Sequence, residues 1–122
     1  MLRRLAVVLA AFAAVIVVVA VTRAMLPQTA CNVGYAQYSA LPMKISYDKA
    51  KGLLGCDGML ISREAYDGKL VIEAYAWRGT AWPYGRVEAG FINNSLEKKS
   101  VRWLDLLSWT DDVQVTGNWR EK

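Results

Sequence analysis

Apolar residues follow three patterns along this chain. From Leu5 to Val21, LAVVLAAFAAVIVVVAV, they form an unbroken run of seventeen residues without a charge, and Arg3 and Arg4 stand just before it. From Val33 to Leu54 they recur at helical spacing, and from Met59 onward at a spacing of two.

The first pattern predicts a membrane helix. At about 1.5 Å per residue the run reaches roughly 25 Å, slightly less than a hydrocarbon core of about 30 Å. Thr22, Ala24, Met25 and Leu26 can lengthen it, with Arg23 reaching back toward the headgroups. A soluble helix would show a polar face, and this run has none. Three fates stay open. The first is a signal anchor that remains in place. The second is a cleaved signal peptide, whose apolar core would be longer than the usual 7 to 15 residues or so. The third is a lipoprotein signal ending at Thr29-Ala30-Cys31, with Gln28 where an aliphatic residue is expected. By the positive-inside rule, Arg3 and Arg4 keep the amino terminus in the cytoplasm and send the chain from about residue 27 outside.

The second pattern predicts two short helices. Val33 to Leu41 places Val33, Ala36, Ala40 and Leu41 on one side and is stopped by Pro42. Ser46 to Leu54 is the clearer of the two, with Ser46 as N-cap, Asp48 in the first turn, Ala50, Leu53 and Leu54 as its apolar face, and Gly55 as its stop.

The third pattern predicts strands. Met59–Tyr66 and Lys69–Arg78 flank Asp67-Gly68, a strong hairpin signal. Gly79–Gly85 reads as a loop carrying Trp82 and Tyr84, Arg86–Ile92 as a third strand, Asn93-Asn94-Ser95 as a turn, and Leu96–Trp103 as a fourth strand. Leu70, Ile72, Ala74 and Ala76, with Val87, Ala89 and Phe91, are expected to face the helices, leaving Glu73, Tyr75, Trp77 and Glu88 on the other face. The fourth strand leaves its facing open: Leu96 favours one register, Val101 and Trp103 the other. The expected fold class is therefore α+β, an N-terminal transmembrane helix followed by two short helices packed on one face of a four-stranded antiparallel meander sheet. The expected division is an anchor or signal over 1–26, a stem over 27–32, the domain over 33–109 and a tail over 110–122. In the tail, Val113 and Val115 are candidates for an added edge strand, while 110–112 and 117–122 read as solvated.

Charge changes the picture once the anchor is set aside. Of 15 Lys and Arg, Arg3, Arg4 and Arg23 belong to the membrane segment, leaving the rest nearly balanced by the 11 Asp and Glu. A balanced domain does not suit nucleic acid. Histidine is absent, which removes the commonest general base and metal ligand. Cys31 and Cys56 are the only cysteines, and outside the cytoplasm they suggest one disulfide worth about 3 kcal/mol in the chain-entropy view. The alternative is a lipid on Cys31 and a lone thiol at Cys56.

The order LPMKISYDKAKGLLG, a YAW strand, then VEAGFINNSLEKKSVRW resembles the small domains of the beta-lactamase inhibitory protein superfamily, with a related look in the lipoprotein subunit of the outer-membrane barrel-assembly machinery. The positions that carry it are Ile45, Ser46, Leu53, Leu54, Gly55, Tyr75, Trp77, Phe91, Asn93 and Asn94, over roughly residues 38 to 105. Lys44-Ile45 stands where family members have Gly-Met, Ala50 where they have a β-branched residue, and there is one copy where the inhibitor has two. The resemblance implies a binding module whose open sheet face meets another protein, with Glu88, Gly90 and Trp103 on that face.

Aromatic residues are the main site candidates, since aromatics on an open face are typical binding anchors. The expected surface is Tyr75, Trp77, Trp82, Tyr84, Glu88 and Trp103, with Trp82 and Tyr84 also suited to lipid headgroups. Asp111-Asp112 read as solvated, Ser46 as a cap rather than a nucleophile, and Asn93-Asn94-Ser95 fits a glycosylation sequon. No catalytic residue, cofactor or metal is expected. The functional expectation is a single-pass membrane protein, non-catalytic, whose outer domain binds an unidentified envelope protein. The alternative is a structural envelope component that assembles with itself or a larger complex.

Overall fold

The computed structural model describes residues 1–105 and 107–116, so Leu106 and the expected solvated segment 117–122 lie outside the described residues. Helix α1, Leu2–Ala24, holds the apolar run. Its stretch Leu2–Val21 is long and apolar enough to cross a membrane and packs none of its length inside the protein. By length and composition it fits an anchor or a signal sequence.

The rest is an α+β arrangement on one mixed sheet. After β1 (Asn32–Val33), α2 (Tyr35–Ala40) and α3 (Tyr47–Leu54) come β2 (Met59–Tyr66), β3 (Leu70–Gly79), β4 (Pro83–Ile92), β5 (Ser95–Asp105) and β6 (Ser108–Val115). Strands β2 to β6 form an antiparallel meander, and β1 runs parallel to the end of β3. The expected layout of four antiparallel strands under two packed helices is corrected to six strands in a mixed sheet. One of the added strands was not expected, and the other, left open as an edge strand through Val113 and Val115, is longer than expected, each for a physical reason. β1 is two residues long, too short to show a period. β6 carries Thr110, Asp111 and Asp112, whose polarity reads as solvated chain, yet backbone pairing with β5 runs from Asp105↔Ser108 to Lys98↔Val115.

Local chemistry explains the elements. Ser46 accepts from the Lys49 amide at 3.3 Å and Gly55 closes α3 at φ 103°, a conformation that glycine adopts without strain. Asp67 and Gly68 (φ 52° and 65°) and Asn93 and Asn94 (φ 49° and 63°) make the turns on either side of β3 and β4. Asn93 also ties its turn to β3, its side chain accepting from the Val71 amide.

The core lies between one sheet face and the segment from Leu26 to Gly58. Val33, Tyr38, Leu41, Ala50 and Leu54 from that segment meet Trp77, Val87, Ala89, Phe91, Leu96 and Val101 of the sheet. Cys31 and Cys56 form a disulfide that joins the start of this layer to the end of α3. Lys99 is 2% exposed and holds the end of α2: its ammonium donates to the carbonyls of Tyr38 at 3.0 Å, Ser39 at 3.4 Å and Leu41 at 2.7 Å. Cationic donors suit the carbonyls at a helix C-terminus. Burial lowers the Lys99 pKa from its ordinary value, partly offset by Asp112.

The facing of β3 is the main correction inside the sheet. The registers Tyr75↔Ala89, Trp77↔Val87 and Val87↔Val101 put these residues on the helix side, with Ile72, Ala74, Ala76 and Arg78 on the other. Both sides of β3 are apolar, so hydrophobicity did not discriminate between them. Size and the polar tips of the aromatics did. Trp77 is fully buried, its indole N–H donates to the Cys56 carbonyl at 2.9 Å, and a Cβ added at Gly58 would come within 2.6 Å of its ring. Tyr47 stacks on Tyr75 with ring centroids 4.1 Å apart, and Phe91 meets both rings edge-on.

Candidate binding face

The opposite face of the sheet is covered by neither α2 nor α3. Along β4 it shows Tyr84, Arg86, Glu88 and Gly90, along β5 Lys98, Ser100 and Arg102, and along β6 Asp111 and Val113. The alternation that sends Val87, Ala89 and Val101 into the core sends these residues out. Where the sheet curls they line a groove of about 360 Å³, and a second hollow of about 250 Å³ continues toward Ser62, Glu64, Ile72 and Ala74.

One rung across the face is cationic. The pairings Arg78↔Arg86, Arg86↔Arg102 and Arg102↔Asp111 place three arginines and an aspartate side by side over four strands. Like charges directly opposite destabilise a sheet, and the neighbours offset this. Arg86 Nε donates to Glu88 Oε1 at 2.8 Å, Arg102 lies 3.9 Å from Asp111, and Arg78 Nε donates to the Pro27 carbonyl at 3.2 Å. Planar guanidinium groups held in a row suit carboxylate or phosphate partners.

Of the residues singled out from sequence, the structure brings Tyr84 and Glu88 to this groove, together with Gly90. Trp82 lies on the loop before β4 and is 47% exposed. Tyr75, Trp77 and Trp103 are on the other side, Trp77 fully buried within the core cluster and the other two half-buried and packed against it. Burial, reinforced by the hydrogen bond to Glu73, pushes the Tyr75 phenol up to about 12. Sequence reasoning missed Arg86, Lys98, Ser100, Arg102 and Asp111 as a group. Their signal was the polar phase of the strand alternation, read correctly in β4 but broken in β5 by one extra residue.

That residue is Glu97. Phe91 pairs with Leu96 while Gly90 pairs with Lys98, leaving Glu97 as a bulge. The bulge lets Leu96 on one side of it, and Lys99, Val101 and Trp103 on the other, all reach the core side. Glu97 is 7% exposed and satisfied by Lys44 Nζ at 2.8 Å, by Ser95 at 3.2 Å and by the hydroxyl of Thr116. The bond from Lys44, then that from Thr116, lowers its carboxyl pKa below the ordinary value. Among the described residues no three His, Cys, Asp or Glu gather as a metal site requires. No protein family, no curated protein and no solved structure matches this chain.

Proposed function

We propose that this chain is a membrane-tethered, non-catalytic binding domain, held outside the cytoplasm by α1, whose open sheet face receives a segment of another envelope protein. The observation that carries this reading is the contrast in cover. One face of the sheet has a layer of chain packed on it, while the other keeps the row of Arg78, Arg86 and Arg102, the last two lining a groove of about 360 Å³. Acidic side chains of the partner match the arginine row. The resemblance to the beta-lactamase inhibitory protein superfamily supports the same kind of use, by way of Glu88 and Gly90.

A photo-reactive phenylalanine placed at Ser100 of the full chain, in its own membranes, tests it. It should give a discrete adduct that Arg86→Glu with Arg102→Glu removes, whereas the same probe at Lys49 on α3 gives none. Equal adducts at both positions, or an adduct indifferent to the charge reversal, defeat the reading.

A second reading, assembly with like chains, is favoured by β2. All eight of its residues are exposed, Met59, Leu60 and Ile61 among them, and among the described strands it pairs only with β3. An unpaired apolar edge is a template for another strand. A probe at Ile61 that yields adducts of twice the chain's mass supports this reading.

A further inference from the structure

The two ends of the sheet differ in how they meet α1. That helix stops at Ala24, and Leu26 and Pro27 are already buried in the domain, so Met25 alone stands between them. The following segment is fastened to the end of β3: the Pro27 carbonyl accepts from Arg78 Nε at 3.2 Å, the Thr29 hydroxyl oxygen from the Arg78 amide at 3.1 Å, and the Val33 carbonyl from the Thr80 amide at 3.1 Å. One residue spans at most about 3.6 Å. The end of the sheet that carries Arg78 therefore cannot hang away from the helix, and α1 also comes against β4.

Strand pairing decides what else lies at this end. The loop from Thr80 to Trp82 leads into β4, and Pro83↔Asp105 and Asp105↔Ser108 bring the β5–β6 reversal alongside it. Among the exposed side chains here, beside Thr80, Asp105 and Ser108, are three large apolar or aromatic ones: Trp82 at 47% exposure, Leu107 at 97% and Trp109 at 58%. At the far end the turns are Asp67-Gly68-Lys69 and Asn93-Asn94, with Tyr66 and Leu70 flanking the first. Tryptophan seats well at the water–lipid boundary, where its ring meets acyl chains and its N–H meets headgroups.

From this juxtaposition we propose that Trp82, Leu107 and Trp109 sit in the headgroup layer of the bilayer that holds α1, docking the domain on the membrane by one end of its sheet. The inference rests on the tethered reading above. The helix already confines the domain to the surface, so the three side chains act at high effective concentration and need supply little affinity of their own. Docked in this way, the strands rise from the membrane, and the arginine row lies nearer the bilayer than Lys98.

The test uses the full chain in phosphatidylcholine vesicles, with and without phosphatidylglycerol. Cys31 and Cys56 are paired, so a nitroxide can be placed through Leu107→Cys or, at the far end, Asp67→Cys. Collisions with oxygen and with a polar nickel chelate report depth. The Leu107 label should show an oxygen-to-nickel ratio several-fold above that of the Asp67 label in both lipids, and Trp82→Ser with Trp109→Ser should abolish the difference. Equal ratios at the two sites overturn the docking, and so does a difference that needs phosphatidylglycerol, which would assign it to the arginines. The intact mass of the same sample separates the failures. With α1 retained, a polar Leu107 label defeats only the docking; a mass lacking α1 defeats the tether and the docking together.

Discussion

The two faces of this sheet come from the same strands, one residue out of phase, and are built on opposite principles. On the covered side Trp77, Tyr75, Tyr47 and Phe91 interlock, and their polar atoms are answered within the fold by Cys56, Glu73 and Asp57. On the open side Arg86 pairs with Glu88 at 2.8 Å and Arg102 with Asp111 at 3.9 Å. The aromatics thus serve the core, and the charges stand on the face proposed above for binding. Residue type alone points the other way, because tryptophan and tyrosine are also the commonest anchors of binding surfaces.

The sharpest way to break this contrast is Trp77→Ala. Removing a fully buried indole leaves a cavity and strips the Cys56 carbonyl of its donor, so a loss of about 3–5 kcal/mol is expected in denaturant melts. A loss below about 1 kcal/mol, the level typical of an exposed side chain, would return Trp77 to the surface and overturn the assignment of the two faces.

Much of this fold was legible because its local signals agree. The Ser46 cap, the Gly55 stop, the Asp67-Gly68 hairpin and the Asn93-Asn94 turn each predict the element the structure shows, and α3, β2 and β3 begin and end within a residue or so of expectation. The facing of the strands was less legible. β3 is apolar on both sides, with Ala76 buried on one and Trp77 on the other, so a period of two cannot choose between them. β5 has apolar residues in both phases because of the Glu97 bulge, which a strict alternation reads as contradiction. The candidate site was legible only in part: Glu88 stands in the stretch of β4 whose alternation is clean, Tyr84 was expected on a loop but belongs to β4, which starts at Pro83, and the arginine row needs the register across four strands.

Glu97 gives the next test, smaller in effect, because the bulge is what aligns β5 with both faces. Its carboxyl is depressed in the fold, so the fold binds fewer protons there than the unfolded chain does. The resulting stability is fully present above the unfolded carboxylate pKa of about 4.3 and is lost as pH falls through the lower folded value. Glu97→Gln should cost about 1.5–3 kcal/mol at neutral pH, the worth of a hydrogen bond to a charged group, and should flatten the acid limb of the stability profile. Lys44→Met should flatten the same limb, since Lys44 is the main cause of the shift. An acid limb unchanged in both variants would mean that Glu97 is not held by these partners and that something else fixes the bulge.

The smallest expected effect on stability belongs to the open face, and there a near-zero result is the informative one. The Arg102 and Asp111 side chains are 54% and 44% exposed and 3.9 Å apart, a geometry in which an ion pair is worth between nothing and about 1 kcal/mol. Arg86 pairs more closely with Glu88, but it also faces Arg102 across the strands, so truncating either arginine relieves a repulsion while it removes an attraction. Arg86→Ala and Arg102→Ala should therefore each leave the melting midpoint within about 0.5 kcal/mol of the parent, the range of ordinary surface substitutions. Arginines at 86 and 102 that the fold does not need for its own stability, unlike Arg78 with its bond to the Pro27 carbonyl, would agree with the proposed use of the open face. If instead either alanine variant loses more than about 2 kcal/mol, the row is a structural brace across β3, β4 and β5, and the contrast between the two faces collapses into two kinds of core.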